Sequence, residues 1–230
     1  MPVVELRDAD DAAPLLDALT AGGCAIAEIT LRTDAGRAPV ALPTLGRLSV
    51  HNALAGAAVG RAAGLSLERI VAGIEAGWSA PHRVQLVRLG DVTLVDDTYN
   101  ASPRSVEAAL ELLADLPGRR GAVLGEMLEL GDAHEEGHRE VGEAAARTVD
   151  WLVVVGEGAA GIAEGAEAAG LDPARITRLP DAEAALDVLP PRLRDGDVVL
   201  LKASRGIGLD RVVDGLRAVL GGGVPGGSMR

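Results

Sequence analysis

From residue 84 onward the chain alternates short aliphatic runs with longer amphipathic ones, and this pattern constrains the fold most. Apolar runs at 85–89, 92–95, 121–124, 151–155, 176–179 and 198–201 read as strands, and the segments between them, such as 103–116, read as helices. The alternation predicts an α/β chain with a Rossmann-like, mostly parallel sheet and helices on both faces. The cores have to be built without aromatic bulk. Aromatic residues make up 1% of the chain and phenylalanine is absent, so Ala, Val, Leu and Ile must fill them, which suits doubly buried parallel strands. No repeat of 20 to 50 residues interrupts this pattern.

The first third reads differently. Residues 3–6 form a short strand, 8–21 an amphipathic helix capped by Asp8, and 24–31 a second strand after Gly22 and Gly23. Such a β-α-β unit is expected to be parallel and right-handed. The Pro- and Gly-bearing stretch 34–44 reads as a junction. Helices follow at 51–64 and 66–77, the second with Ser66 as cap and Glu68 just inside it, and 77–84 reads as a hinge. The Gly-rich stretch 222–230 is expected to be a flexible tail. A length of 230 residues suits one or two domains with real cores.

Charge narrows the function. Thirty-four acids against 22 bases give a net charge of -12, which argues against nucleic acid or an anionic membrane as the main partner. So few aromatics also argue against base-stacking platforms. Cys24 is alone, so neither a disulfide nor a thiolate zinc site is expected, and it reads as a small buried hydrophobe. With no signal peptide and no apolar run of spanning length, the sequence reads as soluble and cytoplasmic.

The chemistry concentrates at DDTYNASP, residues 96–103, where a strand turns into a helix. Asp96, Asp97, Tyr99 and Asn100 crowd a turn at the carboxyl end of a strand, where ligands bind in open α/β sheets. Ser102 followed by Pro103 suits a helix start. A solvated polar loop is the plainer alternative. Three other patterns compete. Gly156, Gly158 and Gly161 spell GxGxxG after a strand, with Asp181 where a dinucleotide site wants an acid; the unit lies late in the sheet, and NAD is the weaker reading. Lys202 is the only lysine, but strand residues separate it from Gly196, so it is not a Walker lysine. His134 and His138 stand at i, i+4 beside Glu135 and Glu136, but a third ligand is missing, so a charged helix start is favoured over zinc.

Four segments in order, GRLSVHNAL (46–54), DDTYNASP, LGEMLELG (124–131) and LKASRG (201–206), with HREVG (138–142), resemble the Mur ligase family. The resemblance covers about residues 38–221. It implies the end of a central ATPase domain at 38–83 and a Rossmann-like C-terminal domain at 84–221. It also implies an ATP-dependent amide ligase of peptidoglycan precursor synthesis, using ATP and Mg2+ to add D-alanyl-D-alanine to UDP-N-acetylmuramoyl-tripeptide through an acyl phosphate. By resemblance Asn52, Arg83 and Asp97 belong to the nucleotide side, and Tyr99, Asn100, Ser204 and Arg205 to the dipeptide or tripeptide. No residue is assigned as catalytic. Leu48, Ser49 and Ser102 stand where the family usually has His, Asn and Asn. The family's P-loop, carbamylated lysine and magnesium ligands precede the matched part, so the chain alone is expected to be inactive and to need an ATPase domain. A non-catalytic peptide-binding or partner-binding fragment is the alternative. Residues 3–33 instead resemble the opening of 2-keto-3-deoxy-6-phosphogluconate aldolase, a (β/α)8 barrel, whose acid/base glutamate and substrate arginine match Glu28 and Arg32. That family also needs a Schiff-base lysine on a later strand. The resemblance makes residues 1–37 a β-α-β leader and the chain, at the furthest, aldolase-derived.

Overall fold

The structure, a computed structural model, describes residues 3–5 (backbone only), 28–42, 46–77 and 80–220. The chain divides into two compact units, Met1–Ala80 and Pro81–Arg230.

In the first unit, β1 (Val3–Glu5) pairs in parallel with β2 (Glu28–Thr33), as a β-α-β reading requires. The helix expected at 8–21 and Cys24 lie outside the described residues, and so does the tail expected at 222–230. The junction expected at 34–44 is instead largely a strand, β3 (Gly36–Ala41), antiparallel to β2 with Thr33 opposite Gly36 and Glu28 opposite Ala41. The turn is local chemistry: the Thr33 hydroxyl accepts the Ala35 N–H at 3.2 Å, and Gly36 takes φ +138°. Pro39 obscured the strand in the sequence, yet proline is tolerated because β3 is an edge. Helix α1 (Arg47–Ala62) starts four residues before the expected 51. Helix α2 (Leu67–Glu75) starts on Ser66, whose hydroxyl accepts the Arg69 N–H at 3.4 Å. Ile29, Leu31, Val40 and Leu42 pack with Val50, Ala53, Leu54, Ala57, Leu67 and Ile70 into one core. The leader boundary read at residue 37 thus falls inside a hairpin whose two strands share that core.

In the second unit all six strands lie where the alternation put them. They are β4 (Gln85–Leu89), β5 (Val92–Asp96), β6 (Arg119–Gly125), β7 (Trp151–Val155), β8 (Ile176–Leu179) and β9 (Asp197–Lys202). Their order is β4-β5-β9-β6-β7-β8; β4 is antiparallel to β5, and the remaining neighbours are parallel. The last strand therefore returns to the middle, and every residue of β9 is buried. The helices are α3 (Pro103–Asp115), α4 (His134–Ala146), α5 (Ala160–Ala168), α6 (Ala182–Arg192) and α7 (Leu209–Leu220). Helices α6 and α7 pack on the sheet face carrying Leu94, Val123, Val153, Val199 and Leu201. Helix α3 lies against β9 from the opposite face. No helix among the described residues is long and apolar enough to cross a membrane.

Candidate functional site

β5 leads to α3 on one face of the sheet, and its neighbour β9 leads to α7 on the other. Adjacent parallel strands whose connections leave in opposite directions open a crevice at their carboxyl ends. The register levels those ends: Asp96 lies opposite Leu201, and Lys202 opposite Leu124 of β6. DDTYNASP and LKASRG meet at this point.

Asp97 extends the ladder by one bond, its N–H donating to Leu201 O at 3.0 Å. Its carboxylate then meets Lys202 Nζ at 2.5 Å, and Nζ also donates to Asn100 O at 2.9 Å. The pair is shut in, Asp97 at 8% and Lys202 at 2% exposure. Burial pushes the Asp97 carboxyl up and the Lys202 ammonium down from their ordinary values, and each partner's charge pulls the other part of the way back. Asp96 is also buried. It accepts the Thr98 hydroxyl at 2.8 Å and lies 2.9 Å from His82 Nδ1. The two adjacent acids thus do different work: Asp96 closes its own turn onto His82, and Asp97 fixes the end of β9.

Tyr99 is half-buried at the edge of this network. The guanidinium carbon of Arg83 lies 4.2 Å, and that of Arg205 5.3 Å, from its ring centroid. The Tyr99 N–H donates to His82 O at 3.0 Å, and the Val84 N–H donates to Asp97 Oδ1 at 3.3 Å. Between these two ties the backbone is strained: His82 takes φ +62° and Val84 φ +47°. Positive φ is a genuine outlier for a β-branched residue.

The remaining expected residues divide. Asn100 is exposed, and its carbonyl holds Lys202. Ser204 is buried; its hydroxyl accepts the Leu128 N–H at 2.9 Å and its own N–H donates to Glu126 O at 3.0 Å, so it ties the β9 and β6 loops together. Arg205 is exposed and follows it directly. The structure therefore brings Arg83, Asp97, Tyr99, Asn100, Ser204 and Arg205 to one end of the sheet. Asn52 is exposed on α1 in the first unit, beside a groove of about 350 Å³ lined by Gly56, Gly60, Gly73 and Gly77 among others. The sequence reading missed Lys202 and His82. The available signal was a lone lysine ending a buried strand in a chain with two adjacent acids at another strand end.

The competing motifs have structural duties. Gly156 takes φ +99°, a Cβ on Gly158 would collide with the Glu126 carboxylate, and Gly161 packs on His138. Asp181 caps α6 through the Ala184 N–H at 2.9 Å. The fingerprint glycines thus serve close packing against the β6 loop and α4. His138 is fully buried, with Nε2 accepting the Met127 N–H at 2.9 Å and Nδ1 donating to His134 O at 2.6 Å. His134 Nε2 lies 3.0 Å from Gly158 O. Among the described residues, no three His, Cys, Asp or Glu side chains gather to hold a metal ion. Glu28 and Arg32 are exposed on β2, and the antiparallel β2–β3 hairpin does not continue into an all-parallel barrel.

The family model for the Mur ligase glutamate ligase domain matches residues 82–205, more than half of the chain and the whole span from His82 to Arg205. A UDP-N-acetylmuramoyl-tripeptide--D-alanyl-D-alanine ligase of Mycobacterium bovis is 40% identical over 212 residues, covering 82% of this chain and 41% of the relative. The enzyme of the same name from Escherichia coli is 36% identical, covering 83% of this chain and 41% of its own length. A crystal structure of MurF from Acinetobacter baumannii matches with TM-score 0.72 and 26% identity over 94% of this chain and 51% of that one. MurF from Thermotoga maritima in complex with ADP matches with TM-score 0.65 and 29% identity, over 81% and 42%. The chain thus spans about half, or less, of each of these proteins. A match over 94% of the chain has to take in part of residues 1–37.

Proposed function

The chain belongs to the Mur ligase family, and from that premise we propose that it is the C-terminal part of the ligase that joins D-alanyl-D-alanine to UDP-N-acetylmuramoyl-tripeptide. The observation that carries this reading is the pair of guanidinium groups, Arg83 and Arg205, held over the Tyr99 ring at the β5–β9 switch point, set in a chain of net charge -12 and lying wholly inside the family match. A carboxylate does not react with an amine at neutral pH. ATP converts it to an acyl phosphate, the dipeptide amine attacks, and phosphate leaves. Both half-reactions develop oxyanions, a charge that guanidinium groups are suited to stabilise.

On this reading Arg83 approaches the reacting oxyanions from the nucleotide side and Arg205 from the side of the dipeptide or tripeptide. Asn52 belongs to the nucleotide side. Asp97 acts there indirectly, since its carboxylate is engaged by Lys202 and by the N–H beside Arg83. Tyr99 and Asn100 border the dipeptide or tripeptide, and Ser204 sets the loop that carries Arg205. The glycine-rich ATP cradle belongs to the part of the relatives that this chain does not span. Among the described residues no three His, Cys, Asp or Glu side chains gather where magnesium could be held. ATP and UDP-linked sugars are cytoplasmic, so the reaction is placed in the cytoplasm.

The test is to fuse the chain to the upstream ATPase part of a relative. Amide formation and phosphate release are then measured with ATP, Mg2+, UDP-N-acetylmuramoyl-tripeptide and D-alanyl-D-alanine. The expected result is activity from the fusion and none from the chain alone, with Arg83→Ala and Arg205→Ala each lowering kcat/KM by roughly 100-fold, the size of losing one oxyanion donor. A folded fusion that forms no amide bond would sink the reading.

A further inference from the structure

Arg83 and Arg205 are far apart in sequence, yet both guanidinium groups rest on the ring of the chain's only tyrosine. Among the described residues neither is paired with a carboxylate. The nearby acids are engaged elsewhere: Asp97 holds Lys202, Asp96 holds Thr98 and His82, and the Glu126 carboxylate lies by Gly158 and His134. Two cations held within 4.2 and 5.3 Å of one ring centroid repel each other. A π face offsets part of that repulsion, and an oxyanion between them would remove the rest. Stacking uses the face of a guanidinium and leaves its in-plane N–H fork open, and that fork is the edge that binds phosphate or carboxylate bidentately.

The backbone around Arg83 is built to aim it. The positive φ values at His82 and Val84 persist against their cost because three contacts over-determine the segment: His82 O with the Tyr99 N–H, His82 Nδ1 with Asp96, and the Val84 N–H with Asp97. The same loop that presents the tyrosine ring therefore holds Arg83 over it. Arg205 leaves a buried residue, Ser204, tied to the Leu128 N–H.

We propose that Tyr99 is a positioning residue whose ring, not its hydroxyl, holds Arg83 and Arg205 together as one two-pronged clamp for a single oxyanion. Resting on the ligase reading, that oxyanion is either a phosphoryl group or the dipeptide carboxylate, and the two prongs join the nucleotide and acceptor sides of the reaction through one ring.

The experiment follows the arginine Nε–H signals of the full chain by NMR, assigned with Arg83→Lys and Arg205→Lys. Inorganic phosphate is titrated in one arm and D-alanyl-D-alanine in the other, at constant ionic strength. Both signals are expected to follow one isotherm, and the arm with the lower Kd identifies the oxyanion. Tyr99→Phe should stay within twofold of the parent. Tyr99→Leu should weaken binding at least fivefold and split the isotherms. Arg205→Ala should weaken the response at Arg83 at least fivefold, which keeps the test sharp if Tyr99→Leu folds poorly. Separate isotherms in the parent chain, no saturable shift in either arm, or an Arg83 response indifferent to Arg205→Ala would overturn the clamp. An inert fusion enzyme with an intact shared isotherm would instead sink the ligase reading and leave the clamp standing.

Discussion

Lys202 is the chain's only lysine, and it is buried against Asp97 rather than offered to a ligand. Removing one member of such a pair leaves an uncompensated charge, whereas replacing both with apolar groups is often close to neutral. Lys202→Met is therefore expected to cost about 3–5 kcal/mol in urea unfolding, and Asp97→Leu combined with Lys202→Met to recover most of it. A double variant no more stable than Lys202→Met would show that the ties to Asn100 O and the Val84 N–H matter more than the pair. The sequence could not reveal this contact, because 105 residues separate the partners and only the return of β9 beside β5 joins them. What it could reveal was local. Pro103 opens α3 after Ser102, whose N–H is taken by the Ser105 hydroxyl at 2.9 Å. The strain at Val84 was invisible for a related reason: nothing in HRVQL marks a left-handed valine, which is imposed by Asp97 and Tyr99 from the next strand's loop.

Among the elements, α4 and α5 are held by glycines of the helices themselves, outside the GxGxxG spelling. A Cβ on Gly142 would sit 2.0 Å from Ile162 O, and one on Gly165 2.1 Å from Arg139 O, so the helix backbones themselves are in contact. Gly142→Ala is expected to destabilise the chain by roughly 1–3 kcal/mol because neither backbone can yield alone. Gly73→Ala in α2 meets nothing within 4 Å and should be neutral or stabilising by about 0.5–1 kcal/mol. Equal effects at the two sites would refute the packing argument. The same helix pair explains HEEGH. The i, i+4 spacing was legible, but the burial that turns His138 inward toward the Met127 N–H depends on α4 meeting the β6 loop. Burial holds the His138 ring below its ordinary value of 6.5, with the hydrogen bond to His134 O opposing. The native state then binds fewer protons than the unfolded chain in the window just below pH 6.5. Its stabilising share is complete above that pH and declines as the pH falls through the lowered value. Urea midpoints measured from pH 7.5 to 5 should drop less in His138→Gln than in the parent; parallel curves would remove the histidine from the account. Strands were the most legible elements, because doubly buried runs such as WLVVV leave no polar register to misread. β3 was missed because proline and a turn masked its alternation.

At the scale of the whole molecule, the α/β class followed from the alternation, but the order β4-β5-β9-β6-β7-β8 did not. Pairing β9 between β5 and β6 is a non-local choice that no local pattern encodes, and the site inherits that illegibility because it stands where those strands meet. The first unit is equally instructive. Its spelling suggested a leader ending at residue 37, while its core joins Ile29 and Leu31 to Val50, Leu54 and Ile70 across that boundary. Each unit thus has a core of its own, and cores that bury separate sets of residues unfold as separate cooperative units. Among the described residues, the first has a small sheet of three strands under two helices; the second has six strands between two helical layers, with every residue of β9 and β7 buried. More apolar burial per unit makes the second the more stable. Heating or urea should therefore produce two transitions. Native-state hydrogen exchange should show α1 and α2 opening at a lower free energy than β5, β9, β6 and β7. A chain beginning at Pro81 should keep the upper transition within about 3 °C, because a loss near 1 kcal/mol shifts a domain of this size by roughly that much. A single transition, with amides of α2 and β9 exchanging at one common free energy, would mean that the two units fold as one and would remove the independent second core from the argument.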